Sequence, residues 1–370
     1  MTKRIVLAGG GHAHLSVLAD WLERPCDQAE RVLIMPSERS AYSGMLPGWM
    51  AGIYQEDEIF IPVAKLARKA GVRVILASVD GLDAEAQRLQ LSTGEGLDFD
   101  LLSLATGGEV PGHGLQNTGS KLLTVRPVEQ FVQDWRALVE QASMRDAPSV
   151  AIVGGGAGGI ELALAARARL RDISEQSRVC LVAPQDGFLK GHADNVRALA
   201  LDALRQRGIT VHWSMAKGHA EGLELDDGQL IGADAVIAAT GSQPQAWLAR
   251  SGLACTDNGF VLVGGTLQSV SHPNIFAAGD IIQRSDRQLE RSGVHAVKAG
   301  PVLANNLRNL SGENGLQSYD PKRVTLYLLS TGDGRAILSW GKYAMSGRSP
   351  WWLKERIDRG FVNRFTRLAQ

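Results

Sequence analysis

Short apolar runs, each closed by glycine, set the rhythm of the chain. Lys3-Arg-Ile-Val-Leu-Ala8 runs into Gly9-Gly-Gly11, and Ser149-Val-Ala-Ile-Val153 runs into Gly154-Gly-Gly-Ala-Gly-Gly159. Both runs are too short for a helix and rich in β-branched residues, so they predict buried strands. After the second turn, Ile160 to Leu170 carries Leu, Ala, Glu and Arg, which favour a helix. Gly154, Gly156 and Gly159 fit the spacing Gly-x-Gly-x-x-Gly: a tight bend, room for a pyrophosphate to approach the backbone, and close seating of the helix on the strand. The N-terminus of that helix then faces the phosphates with unpaired N–H groups.

The same grammar continues after each turn. Arg31 to Met35, Val72 to Val79 and Phe99 to Leu104 predict strands, the last ending in Ala105-Thr-Gly107. Arg178 to Ala183, Ile209 to Trp213 and Ala233 to Ala238 repeat them, with a helix over 195–206, and end in Ala239-Thr-Gly241. One nucleotide-binding module therefore occurs twice, the second inserted in the first, because Pro273 to Gly279-Asp280 supplies a further strand ending in a carboxylate at a sheet edge. The fold class is α/β, with doubly wound units. His14 occupies the third glycine position of the first turn, which implies a looser helix-strand contact there. Pro36 stands where a ribose-binding acid is expected; Ser37, with Glu38 less favoured, is the substitute. Tyr42 to Gly48 is turn-rich and apolar, either a wall for a flat ligand or a packed loop. Gly293 to Leu307 reads as a turn and helix, and Arg323 to Tyr343 as two strands joined at Thr331-Gly-Asp-Gly334.

Past Pro350 the pattern changes. Leu353, Ile357, Phe361 and Phe365 recur every fourth residue behind Trp351 and Trp352, and Lys354, Arg356, Arg359, Arg364 and Arg367 outnumber Glu355 and Asp358. This predicts a basic amphipathic helix, suited either to a membrane surface or to packing on the body of the protein. Across the whole chain Lys+Arg and Asp+Glu are equal at 39 each, which removes the argument for a nucleic-acid partner. The three cysteines Cys26, Cys180 and Cys255 are scattered, as in a reducing compartment. No apolar stretch reaches the roughly 18 residues of a spanning helix. His12 and His14 have no third ligand near them in sequence, so no metal site is expected.

Taken as an ordered set, Gly9-Gly-Gly11, Ala105-Thr-Gly107, Gly154 to Gly159, Ala239-Thr-Gly241 and Ala278-Gly-Asp280 resemble the two-dinucleotide-binding-domain flavoproteins, the pyridine nucleotide-disulfide oxidoreductase superfamily. Gly158-Gly-Ile-Glu-Leu-Ala163 is similar to type II NADH dehydrogenases. Gly9-Gly-Gly-His-Ala-His-Leu15, Tyr42 to Gly48, Gly300-Pro-Val-Leu-Ala304 and the terminal Lys-Glu-Arg-Ile-Asp-Arg-Gly-Phe resemble dehydrogenase-like flavoproteins sometimes fused to selenide, water dikinase. The resemblance implies two Rossmann-like, glutathione-reductase-like domains: FAD-binding over 1–120 and 246–320, NAD(P)H-binding over 121–245, and a short C-terminal extension over 321–370. Unlike disulfide reductases, the chain has no cysteine between Ser40 and Gly52, and the stretch after Gly300 is short for their dimerisation domain.

For FAD the implied contacts are Gly9, Gly11, His12, Ala13, Ser37, Met45, Leu46 and Val79, then Ala105, Thr106 and Gly107. Gly279 and Asp280 meet its ribityl chain, and Val294 and His295 its pyrimidine edge. For NAD(P)H they are Gly154, Gly156, Ala157, Gly158 and Gly159, with Thr240 and Gly241. Glu161 is placed beside the nicotinamide, with a plain first-turn carboxylate as the alternative, and His295 is catalytic or else a capping or core histidine. Ala183 stands where NADH enzymes often carry an acid, so NADH against NADPH stays open. The implied activity is hydride transfer from NAD(P)H to FAD and onward electron transfer to a quinone-like acceptor without a redox disulfide. The alternatives are an FAD/NAD(H)-binding redox sensor and a reductase of a small protein electron carrier. The expected location is cytoplasmic, with peripheral contact on the inner face of the membrane through 350–370.

Overall fold

A computed structural model describes residues 3–25, 29–110, 112, 114–289, 291–309 and 315–370. Two five-stranded parallel sheets organise it. The first has the order Ile275–Ala277, Leu101–Leu104, Lys3–Ala8, Ala29–Met35, Arg73–Leu76. The second has the order Lys121–Thr124, Ala235–Ala238, Ser149–Val153, Arg178–Val182, Thr210–His212. The strand Ile275–Ala277 returns to the first sheet after the whole of the second has been made, so one unit interrupts the other. Val6, Leu7, Ala151 and Ile152 are wholly buried, which is why these strands read as unbroken apolar runs.

The repeat extends to single hydrogen bonds. Gly9 N–H donates to Ile34 O at 2.8 Å, and Gly154 N–H to Val182 O at 2.9 Å. Ala105 N–H donates to Ala8 O and Ala239 N–H to Val153 O, both at 2.8 Å. The Asp100 carboxylate accepts from Arg4 N–H at 2.6 Å, and Asp234 from Ser149 N–H at 2.8 Å. A three-stranded antiparallel meander follows the outer strand of each unit: Val79–Asp83, Arg88–Leu91 and Gly96–Asp98, then Ala216–His219, Gly222–Leu225 and Leu230–Ile231.

In both sheets the connection reverses direction beside the central strand, and there the glycine turn touches the neighbouring strand end. A Cβ on Gly9 (φ +96°) would lie 2.3 Å from Ala105 O, and one on Gly154 (φ +135°) 2.2 Å from Ala239 O. Glycine is therefore required by space as well as by φ. Gly159 seats its helix equally closely, since its Cβ would come within 2.0 Å of Gly154 O. The expectation of a looser contact at His14 is corrected. The ring is fully buried, with Nδ1 2.7 Å from Gly9 O and Nε2 2.9 Å from Ser103 Oγ, so it pins the helix His12–Glu23 to the glycine turn and to the strand Leu101–Leu104.

Three local expectations change. Tyr42 to Gly48 is packed rather than open: Met45, Leu46 and Gly48 are buried, and a Cβ on Gly48 would strike the Tyr54 ring at 2.4 Å. The C-terminal hairpin has a third strand, Tyr343–Gly347, beside Leu326–Ser330 and Ala336–Trp340. The terminal helix, Arg348–Ala369, buries Trp351, Lys354, Asp358, Val362 and Phe365, a stripe rotated from the expected one, and leaves Trp352 and Ile357 exposed.

Burial holds the His14 imidazole down to about 4, against an ordinary value near 6.5. The ring is neutral in the fold, whereas the unfolded chain takes up a proton below about pH 6.5. Its contribution is therefore complete above that pH and falls as pH drops toward 4, by up to about 3 kcal/mol. Guanidinium unfolding at pH 7.5, 6.0 and 5.0 is expected to show this slope, and His14→Gln is expected to flatten it while costing about 2 kcal/mol at pH 7.5. An unaltered slope in the variant removes the assignment.

Candidate functional site

The carboxyl ends of the first sheet open on a cavity of about 400 Å³. It crosses the sheet edge strand by strand, roughly 19 Å at the usual 4.8 Å spacing. Met35, Ser37, Ala77 and Val79 line one end. Gly9, Gly11, His12 and Ala13 line the middle with Ala105, Thr106 and Gly107, and Gly279, Asp280, Gly293 and Ala296 line the far end. Ser37 faces the cavity, whereas Glu38 turns away into a bidentate pair with Arg68 at 2.7 and 2.8 Å. The fit to a dinucleotide is steric and electrostatic. A Cβ on Gly11 would lie 2.5 Å from Ala105 O, so the floor is bare backbone, and the N-terminus of His12–Glu23 faces it with free N–H groups.

Arg126 reaches this cavity and escaped the sequence reading. Its guanidinium lies 2.7 Å from the Asp280 carboxylate, across from the second unit to the first. The available signal was a cation just past the strand Lys121–Thr124 and before the helix Val128–Ala142, at a carboxyl edge. Burial, reinforced by Arg126 and opposed by Asp280, holds His12 down to about 4. The His12 ring is thus a neutral wall, edge-on to Tyr42 at 5.2 Å and Phe361 at 5.9 Å.

Other expected contacts move out of the cavity. Met45 and Leu46 are core, at 1% and 3% exposure, and the neighbouring Ser43 lines the wall instead. Val294 is absent from the lining, and His295 is buried with Nδ1 2.9 Å from the Tyr319 hydroxyl, in a separate small pocket. The helix Gly293–Asn309 points its start at the cavity, but its third residue projects to the other side.

At the second sheet, Gly156 and Gly158 face open space, Ala157 begins the helix Ala157–Arg171, and Gly241 takes φ +104° beside Thr240. The two sheet edges are tied together: Thr106 Oγ1 donates to Gln245 Oε1 at 3.0 Å, and Gln245 Nε2 to Gly107 O at 2.9 Å. Glu161 lies under the C-terminal segment, where its carboxylate accepts from Ser330 N–H at 2.7 Å. Burial raises its pKa, with Lys354 opposing. Lys354 donates to Gly44 O at 2.9 Å and pairs with Asp358 at 3.0 Å, and Tyr42 donates to Asp358 at 3.1 Å. Burial disfavours the Lys354 charge, but Glu161 and Asp358 outweigh it and raise its pKa. Burial also raises both described thiols, Cys180 to about 11, and neither lines the cavity; Cys26 lies outside the described residues.

Two facing dinucleotide units around one trough define a pyridine-nucleotide flavoprotein. The chain belongs to the pyridine nucleotide-disulphide oxidoreductase family, which matches residues 3–300, and it is an oxidoreductase that binds FAD and a pyridine nucleotide. It is 25% identical to the type II NADH:quinone oxidoreductase of Staphylococcus epidermidis, over 96% of this chain and 94% of that protein. It is 28% identical to an FAD-dependent oxidoreductase of Flammulina velutipes, over 71% of this chain and 80% of that protein. In fold it is similar to the sulfide:quinone oxidoreductase of Aquifex aeolicus (TM-score 0.82, 17% identity, 99% and 92% covered). It is likewise similar to NDH2 of Plasmodium falciparum in complex with NADH (TM-score 0.82, 13% identity, 99% and 98% covered).

Removing the Arg126 charge is expected to weaken FAD binding at least tenfold, since hydrogen bonds to charged groups contribute about 1.5–3 kcal/mol. Flavin fluorescence on titrating FAD into stripped Arg126→Gln and Asp280→Asn proteins measures this. Wild-type affinity in both variants would remove this end of the trough from the cofactor site.

Proposed function

We propose that the protein carries electrons from a pyridine nucleotide through FAD to a quinone-like acceptor, without a redox disulfide. The observation that carries this reading is the group of protonatable side chains packed behind the trough, Glu161, Lys354, Asp358 and Tyr42, together with a described lining free of sulfur apart from Met35. The chemistry that FAD supplies when bound is hydride uptake from the nicotinamide and onward delivery of two electrons. Reducing a quinone to a quinol consumes two electrons and two protons, one proton arriving in the hydride and one from water. The chain's part is to hold that second proton near the acceptor and keep bulk water out.

Lys354 suits this role because it stays charged although buried, held by Glu161 and Asp358. Tyr42 remains protonated, since burial and the Asp358 carboxylate both oppose its ionisation. Its ring meets the His12 ring, so the cluster reaches the cavity wall. Glu161, at the start of the second unit's helix, connects the nucleotide side to the same group of charges. An acceptor that needs no protons, such as an iron-sulfur protein, gives such a cluster no task.

A lipid-soluble acceptor also requires access from a membrane. Among the described residues no helix is long and apolar enough to cross one. Trp340 is 53%, Tyr343 73% and Trp352 61% exposed, with Lys342, Arg348 and Arg356 also at the surface. Aromatic rings beside basic side chains suit an interface with anionic lipid. The C-terminal sheet and the outer face of the helix therefore form the membrane contact in this reading, in place of the helix's apolar stripe.

Lys354→Gln and Glu161→Gln are expected to retain FAD but to lower quinone-dependent turnover at least tenfold, read with NADH and a short-chain quinone. Full turnover in both variants would overturn the proton-delivery role. Trp340→Ser/Tyr343→Ser/Trp352→Ser is expected to stay in the soluble fraction on flotation with anionic vesicles that lift the wild type. It should keep its rate with short-chain quinone, and equal flotation of the two proteins would remove the membrane contact.

A further inference from the structure

The near-identity of the two nucleotide units carries over to their adenosine edges. Ile34 pairs with Ala8 and Ile75, and Val182 pairs with Val153 and His212, so Met35-Pro36-Ser37 correspond to Ala183-Pro184-Gln185. Past the outer strand, Ala77 N–H donates to Ile75 O at 3.2 Å and Ser214 N–H to His212 O at 3.1 Å. Ser78 N–H then donates to Ser92 Oγ at 3.0 Å, and Met215 N–H to Asp226 Oδ2 at 3.1 Å. Ser78, Val79 and Asp80, which line the first cavity, thus correspond to Met215, Ala216 and Lys217.

This correspondence accounts for an otherwise unexplained feature. Met215 is 57% and Trp213 45% exposed at the carboxyl edge of the second sheet, with Trp213 held edge-on to Phe188 at 5.3 Å. Met215 holds the place of Ser78, which lines the end of the first cavity, and Trp213 that of Leu76, at the end of the outer strand. Two further residues set what the ribose meets. Gln185 takes the position of Ser37, so no carboxylate stands there; Asp186 corresponds to Glu38, which faces away from its cavity toward Arg68. Lys217, paired with Glu224 at 3.0 Å, stands where the first unit has Asp80. A carboxylate at the ribose position accepts the 2′-hydroxyl and repels a 2′-phosphate. An amide beside a lysine also accepts the 2′-hydroxyl through its oxygen, but it does not repel a 2′-phosphate, to which its NH2 can donate.

We propose that the second unit takes NADPH as well as NADH, with the adenine on Met215 and the ribose edge at Gln185. This rests on the second unit being the pyridine-nucleotide site, and the experiment separates the two statements. Calorimetric titration of the FAD-loaded protein with ADP-ribose and 2′-phospho-ADP-ribose reads the adenosine end without turnover. The dissociation constants are expected to agree within fivefold. Gln185→Glu is expected to weaken the 2′-phosphorylated ligand at least tenfold relative to the other. Met215→Ala is expected to weaken both by a common factor of about three to ten. A wild-type preference above tenfold in either direction, or an unchanged ratio in Gln185→Glu, overturns the proposal. Binding of neither ligand overturns the nucleotide-site reading itself and the proposal with it.

Discussion

Backbone touches backbone where each glycine turn passes the neighbouring strand, and the rest of the structure follows from that contact. No side chain fits between Gly9 and the Ala105 carbonyl, or between Gly154 and the Ala239 carbonyl. The helix after each turn is thereby aimed with its N-terminus over the sheet edge, where an anionic diphosphate gains most from the unpaired N–H groups. The strand end on the other side of each contact continues into the segment that joins the two units. Thr106, Gly107 and Gln245 form that junction, so the contact that shapes each nucleotide site also fixes how the two sites face each other.

A buried charge completes the arrangement. A lone ammonium inside protein is strongly disfavoured, and removing one partner of a buried pair is more damaging than the pair is stabilising. Lys354 is tolerated because it binds Gly44 of the first unit, Asp358 of its own helix and the field of Glu161 on the second unit. The terminal helix is therefore held by a polar requirement as well as by Trp351, Val362 and Phe365.

What the sequence disclosed depended on whether the constraint was local. Gly9, Gly154 and Gly159 stand at tight strand-to-helix turns that need glycine, and the two Ala-Thr-Gly runs stand at strand ends, so the architecture and the bare-backbone floor of the cavity were legible. Helix rotation is not local. Leu353, Ile357, Phe361 and Phe365 make a regular stripe, but the stripe through Lys354, Asp358 and Phe365 found the better partners, and only the folded neighbours show this. His295 fails in a related way, because the helix start was placed correctly while its third residue points to Tyr319. Arg126 had only its place past a strand end to mark it, because its partner Asp280 lies far along the chain. Met45 and Leu46 lie in two consecutive short helical turns, and they pack inward because Tyr54, several residues on, closes over Gly48.

The two units show how one backbone plan is turned to different ends by few side chains. Gly159 seats its helix by having no side chain, and His14 does the same work in the first unit by hydrogen-bonding the turn and the next strand. The first trough is closed by Arg126 and Asp280 and walled by His12, which suits a ligand held permanently. The second turn leaves Gly156 and Gly158 facing open space, which suits a ligand that arrives and departs. Two-step electron transfer through a resident carrier needs that asymmetry: tight retention on one side, exchange on the other. The C-terminal segment binds to both units, so its Lys354 and Asp358 join Glu161 of the second unit and Tyr42 of the first in one buried set of protonatable groups at their junction.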